Sequence, residues 1–235
     1  MLKYKDLEIR AAEGLHDDCL EMIKNNVVQG ADVIDLAAGA GAFSERMVDA
    51  GYNVTANDID EKKWLPTHIS KLTLDLNHPL ESALPAGKYN AVVAMEVIEH
   101  LQNPSKLLED CKRLVATDGL ILLSTPNVMD IDSRLIFLRS GFVFHISPQS
   151  FFATGHRIIL PAWLLELLID EAGLDVVEKK WGGEVPATGN PAWRRGIMRL
   201  VKGIVRLFVK SADTEELDAN YLIYLLRAKP TPAAP

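Results

Sequence analysis

Between Asp32 and Pro126 the sequence repeats one pattern: a short apolar run, a turn of small or polar residues, then a stretch with helical spacing. The runs DVIDLAA (32–38), NVTAND (53–58), KLTLD (71–75), YNAVVAM (89–95) and LILLST (120–125) are bounded by turn residues and read as strands. YNAVVAM is almost continuously apolar, as a strand covered on both faces must be. Strands that alternate with helices are joined by right-handed crossovers, and this makes the sheet parallel with helices on both faces. Two further runs, LDVVEKKW (174–181) and YLIYLLRAK (221–229), bring the strand count to seven. The pattern therefore predicts an α/β fold with a doubly wound sheet.

The intervening helices carry their own stop signals. One is expected from Phe43 to Ala50 and ends at Gly51. Asn103 caps a second, with Pro104 at its first position and Leu107, Leu108, Cys111, Leu114 and Val115 as its apolar stripe. Pro161 opens a third, which Gly173 ends. The 235 residues read as one domain, with an N-terminal helical segment over 1–30 and two irregular insertions, 126–160 and 182–220, expected to cap the substrate. Cys19 and Cys111 form no C-x-x-C spacing, so neither a disulfide framework nor a zinc cluster is indicated. The start has no apolar core of signal-peptide type and no apolar run reaches membrane-spanning length, which predicts a cytoplasmic protein. A formal charge of −7 disfavours nucleic acid as a partner.

In an open α/β sheet, ligands bind beyond the carboxyl ends of the strands. Each of the first four strands ends on an acid: Asp35, Asp58, Asp75 and Glu96. Asp35 opens the small-residue turn Leu36-Ala37-Ala38-Gly39-Ala40-Gly41, where backbone can approach a ligand closely. Four carboxylates would repel the phosphates of a dinucleotide. They suit a nucleoside that bears positive charge and no phosphate, and S-adenosylmethionine fits that description.

The stretches VIDLAAGAGAF (33–43), VTANDID (54–60), LDLN (74–77), AMEVIEHLQNP (94–104) and DGLILLSTPN (118–127) resemble, in order, the core of a class I S-adenosylmethionine-dependent methyltransferase. They are most similar to the branch with E-V-x-E-H after strand four, which includes the ubiquinone-biosynthesis O-methyltransferases. The resemblance implies a Rossmann-like seven-stranded sheet, mostly parallel with an antiparallel last strand. It implies that Asp35, Ala37, Gly39, Gly41, Asp58, Ile59, Asp75, Leu76, Met95 and Glu96 bind the cofactor. Gly39 and Gly41 would admit its methionine part, Asp58 its ribose, and Asp75 with the Leu76 backbone its adenine. Ala37 stands where the family usually has glycine.

A hydroxyl acceptor must lose its proton, and His100 is the leading base because it follows strand four. On a helix, Glu96, Glu99 and His100 would share one face. These three side chains are also reasonable ligands for a divalent ion, a reading ranked below the base, and no metal is assigned. The bland reading is that Glu99 and His100 brace the loop. His145 and His156 lie among phenylalanines in the first insertion and complete the catalytic candidates, over an acceptor that is a small molecule, a lipid intermediate or a glycan. From Trp193 to Lys210, six cations and no acid accompany an apolar repeat at helical spacing. That stretch reads as a lid helix or as a peripheral contact with the inner face of a membrane. The rival functions are an NAD(P)-dependent oxidoreductase, which the acid ahead of the glycine turn disfavours, and a catalytically idle cofactor-binding scaffold.

Overall fold

A computed structural model describes residues 2–60, 64–143, 145–184, 200, 201, 203, 204, 207, 208 and 215–230. Strands β1 (Lys3–Tyr4) and β2 (Leu7–Glu8) form a small antiparallel hairpin before helix α1 (Leu15–Asn26). The main unit then runs β3 (Asp32–Asp35), α2 (Ala42–Asp49), β4 (Asn53–Asn57), β5 (Ser70–Leu72), β6 (Tyr89–Ala94), α3 (Pro104–Leu114) and β7 (Val115–Pro126). It is completed by α4 (Ile131–Ser140), α5 (Pro148–Ala153), α6 (Ala162–Glu171), β8 (Leu174–Glu184) and β9 (Ala219–Ala228).

Seven strands pair in the order β5-β4-β3-β6-β7-β9-β8. Strands β3 to β7 are parallel, and β9 runs antiparallel between β7 and β8. This is the expected architecture, including the reversed last strand. The order switches direction between β3 and β6, which opens a crevice at their carboxyl ends.

Period-two alternation divides the strand residues between two cores. Ile34, Val92, Ile121 and Leu123 face α3 and α6 in one buried cluster, while Val33, Val93 and Leu122 face α1 and α2 in the other. The helices form where their caps dictate. Asn103 Oδ1 accepts from the Lys106 amide with Pro104 next, and Leu107, Leu108, Cys111 and Leu114 are fully buried along α3. Gly41, at φ 91°, caps α2; a Cβ there would lie 2.7 Å from Pro66 Cγ.

Several boundaries differ from expectation. The segment 1–30 is not helical throughout, because Lys5 turns the chain at φ 50° into the hairpin and α1 starts only after Gly14 at φ 86°. Strand β5 stops at Leu72, so Asp75 stands in the loop beyond it. Strand β7 begins at Val115 rather than Leu120 and takes up the Asp118-Gly119 turn as an irregularity in its pairing with β6. The first insertion contains helices α4 and α5.

Helix α1 is tied to the sheet by polar as well as apolar contacts. Tyr221 Oη donates to Asp18 Oδ2 at 2.7 Å, and Lys180 Nζ lies 3.0 Å from Asp18 Oδ1. Removing the hydroxyl leaves Asp18 with one partner fewer, and a hydrogen bond to a charged group contributes about 1.5–3 kcal/mol. Tyr221→Phe is therefore expected to lower the unfolding free energy by about that amount, read in urea as a lower midpoint with an unchanged slope. An unaltered midpoint would show that the Tyr221 hydroxyl adds nothing to the hold on α1.

Candidate functional site

The carboxyl ends of β3, β4 and β6 open into a cleft of about 1040 Å³. Asp35, Ala37, Gly39, Asp58, Ile59, Asp75, Leu76, Met95 and Glu96 all line it, as do His100, His145 and His156. Of the residues expected there, Gly41 alone does not line the cleft; it shapes the turn from behind, against Trp64 and Pro66.

Backbone and side-chain amides lock the turn. Gly39, at φ 56°, donates its amide to Asp58 Oδ2 at 2.8 Å, and nothing occupies the space a Cβ would take. The Asp60 amide donates to Asp58 Oδ1 at 2.8 Å, so this carboxylate closes two turns and keeps lone pairs for a ligand. Asn57 joins three loops: Nδ2 donates to the Leu36 and Leu74 carbonyls, and Oδ1 accepts from the Leu74 amide. Asp75 accepts from the amide and side chain of Asn77, which together hold its carboxyl below the usual range.

Burial raises the carboxyls of two acids of the cleft. Asp35 is 2% exposed, and burial pushes its carboxyl up to about 6 against the opposing hydrogen bond from Ser44 Oγ at 2.7 Å. Glu96 sits in the left-handed region at φ 46°, with Ser124 Oγ donating to Oε1 at 3.0 Å; burial pushes it up to about 7. A non-glycine residue in that region is strained, and such strain concentrates at functional sites.

Glu96 and His100 do not share a helix face. Only a 3-10 turn, Ile98–His100, forms after β6, and Glu96 precedes it. The side chains that converge are instead Glu99, His100 and His156, whose ligand atoms lie within 4.8 Å of one another. That set, rather than Glu96, Glu99 and His100, is the donor group geometry offers for a cation. Glu99 Oε2 accepts from Thr125 Oγ1 at 3.2 Å, and burial with the neighbouring Glu96 raises its carboxyl well above the ordinary value. The His100 and His156 rings meet edge to face at 4.7 Å between centroids, and His145 stands 6.4 Å from His156. Burial lowers all three imidazoles, so they are neutral near pH 7. His156 Nδ1 lies 3.0 Å from the His145 carbonyl oxygen, which can only accept; the proton therefore belongs on Nδ1 and the lone pair on Nε2.

Residues absent from the strand-end reading also line the cleft: Arg10, Ala11, Ala12 and His16 from the N-terminal segment, and Asn220 from β9. Asn220 has a simple signal in hindsight. An antiparallel strand brings its first residues, not its last, to the ligand edge. The six cations between Trp193 and Lys210 lie outside the described residues, whereas Leu200, Ile204, Leu207 and Phe208 are exposed.

Residues 10–179 match a family model described as a methyltransferase domain. The chain is 30% identical over 171 residues, 67% of its length and 70% of the relative's, to the ubiquinone biosynthesis O-methyltransferase of Haemophilus ducreyi. It is 37% identical over 131 residues, 51% of its length and 55% of the relative's, to that of Dechloromonas aromatica. Among solved structures, a SAM-dependent methyltransferase from Archaeoglobus fulgidus superposes with a TM-score of 0.64 at 16% identity, covering 92% of this chain and 94% of the other. Phosphoethanolamine N-methyltransferase 2 of Haemonchus contortus gives 0.61 at 11% identity, covering 94% and 54%.

A carboxyl raised on folding is protonated in the native state while the unfolded chain has already released its proton. Its favourable contribution is complete below the ordinary value of 3.8 and is lost as pH rises towards about 6 for Asp35. Thermal denaturation from pH 4 to 7 should show stability falling more steeply for the ligand-free wild type than for Asp35→Asn. Parallel profiles would mean that Asp35 is ionised in the folded protein.

Proposed function

The chain belongs to the methyltransferase-domain family, and from that membership we propose that it transfers the methyl group of S-adenosylmethionine to a hydroxyl of a small apolar acceptor. The observation that carries this reading is the acidic strand-end cleft with three neutral histidines at one side of it. The residues fit the cofactor. Asp35 and Glu96 are buried carboxyls that a cationic ligand would ionise and pair with, and Asp58 offers free lone pairs to a diol. A dinucleotide would bring phosphates into the same ring of acids.

When bound, S-adenosylmethionine supplies a methyl group on a positively charged sulfur. The protein's share is to align the acceptor, exclude water and take the hydroxyl proton. His100, neutral and facing the cleft, is the base. Its ring is held by the Gly155 backbone, and its Nε2 lies 3.9 Å from Glu99 Oε1. His156 stands edge-on to His100.

An apolar acceptor is favoured over a glycan by the apolar side chains that the first insertion exposes. Ala153 and Thr154 line the cleft at the end of α5, and the preceding Phe151 and Phe152 are exposed, as are Phe137 and Phe142 of the same insertion. The relatives' name, ubiquinone biosynthesis O-methyltransferase, accords with a ring hydroxyl on an apolar molecule. No helix among the described residues is long and apolar enough to cross a membrane. The exposed Leu200, Ile204, Leu207 and Phe208, with the cations that alternate with them in sequence, suit peripheral contact with an anionic bilayer.

Incubation with S-adenosylmethionine and a panel of apolar phenols should yield O-methylated products by mass spectrometry. His100→Gln is expected to lower kcat by about 10²–10⁴-fold, with affinity for S-adenosylhomocysteine unchanged. Undiminished turnover would remove His100 as the base. Co-sedimentation with phosphatidylglycerol vesicles at low salt should be lost on Leu207→Glu/Phe208→Glu; absence of wild-type binding would leave the stretch a lid.

A further inference from the structure

A neutral imidazole donates at one ring nitrogen and accepts at the other, so only the bare nitrogen can take a proton from a hydroxyl. Which nitrogen of His100 is bare depends on a carbonyl from another part of the chain. The Nδ1 side of its ring lies against Gly155: a Cβ on that glycine would stand 3.3 Å from Nδ1, and the Gly155 backbone hydrogen-bonds the ring. That bond favours the charged ring, so the carbonyl accepts it and Nδ1–H is the donor. Nε2 is 3.9 Å from Glu99 Oε1, beyond hydrogen-bond reach, and keeps its lone pair.

The Gly155 carbonyl is itself placed from two sides. Gly155 stands at φ 82°, in a left-handed turn just after α5. Beyond it, the Arg157 and Ile158 amides donate to the Glu99 carbonyl at 2.9 and 3.3 Å, which ties the chain to the 3-10 turn that carries His100. Next to it, the His156 ring reaches back 11 positions to the His145 carbonyl at 3.0 Å and closes a loop around α5. Inside that loop Ser147 and Ser150 form a capping box, and the Thr154 and Gly155 amides both donate to the Ser150 carbonyl. His156 also packs edge to face on His100.

We propose that the first insertion sets the tautomer of the catalytic base: His156, bound to the His145 carbonyl, is the positioning residue that keeps the Gly155 carbonyl on His100 Nδ1–H and leaves the Nε2 lone pair to the acceptor. An imidazole released from Gly155 can carry its proton on either nitrogen, and the form with Nε2–H accepts nothing there. The same loop places Ala153 and Thr154 on the cleft wall. The segment that meets the acceptor is thus the one that readies the base, although His145 and His156 are far from His100 in sequence.

The inference rests on His100 being the base of the proposed methyl transfer. Long-range proton–nitrogen NMR of the ligand-free protein locates the ring protons without reference to activity, with the His100 signals identified by their loss in His100→Gln. The wild type is expected to show Nδ1–H and a bare Nε2 on His100, and His156→Ala to move part of that proton population to Nε2. With a phenol that the wild type methylates, His156→Ala should lower kcat by roughly ten- to a hundredfold, less than loss of the base itself, with KM and affinity for S-adenosylhomocysteine changed less than about twofold. His156→Asn, which keeps an N–H for the His145 carbonyl, should restore most of kcat and the wild-type spectrum. Nε2–H on His100 in the wild type, an unchanged kcat and spectrum in His156→Ala, or no recovery in His156→Asn would each overturn the assignment. Methylation of no phenol by the wild type would sink the proposed reaction, while the spectra still decide the tautomer.

Discussion

A parallel sheet covered on both faces has only its edges on which to display polar groups, and the whole molecule follows from that restriction. Val33, Ile34, Val92, Val93, Ile121 and Leu122 are fully buried, so the central strands β3, β6 and β7 offer no chemistry along their length. Polar side chains appear where those strands stop: Asp35, Glu96, Ser124 and Thr125. The switch in strand order between β3 and β6 opens space at that level, and the cleft forms there rather than on either helical face.

Holding carboxyl groups at the end of an apolar sheet is costly unless they are neutral, paired or matched to a ligand. Burial outweighs the donors that Asp35 and Glu96 receive, the Ser44 and Ser124 hydroxyls among them, and lifts both carboxyls towards neutral pH. Asp58 and Asp75, nearer the opening, are instead engaged by backbone and side-chain amides. The acids thus run from buried carboxyls raised towards neutral pH, Asp35 and Glu96, to amide-bound ones, Asp58 and Asp75.

The strand ends were legible because hydrophobic runs and the acids that close them are local in sequence. Nine of the ten cofactor residues expected from them line the cleft, and the tenth, Gly41, shapes its wall through a backbone angle. The histidines were legible as candidates but not as a group. His100 follows β6 while His145 and His156 flank α5, and their approach to within ring contact depends on how the insertion packs. The expected helical alignment of Glu96 with His100 failed for a local reason: the chain leaves β6 through a left-handed residue and makes only a 3-10 turn.

By itself the sequence determined the strand list, the helix caps, the acids at the carboxyl edge and the family of the chain, since each is written in neighbouring residues and their spacing. Tertiary structure alone decided which distant groups share the cleft. Arg10 and His16 arrive from ahead of the first sheet strand, and Asn220 arrives because β9 runs backwards and presents its beginning where other strands present their ends. No local pattern marks Arg10 or His16, for their positions are fixed by the packing of Ala11, Ala12 and His16 around Phe43, whereas the place of Asn220 follows from the direction of β9.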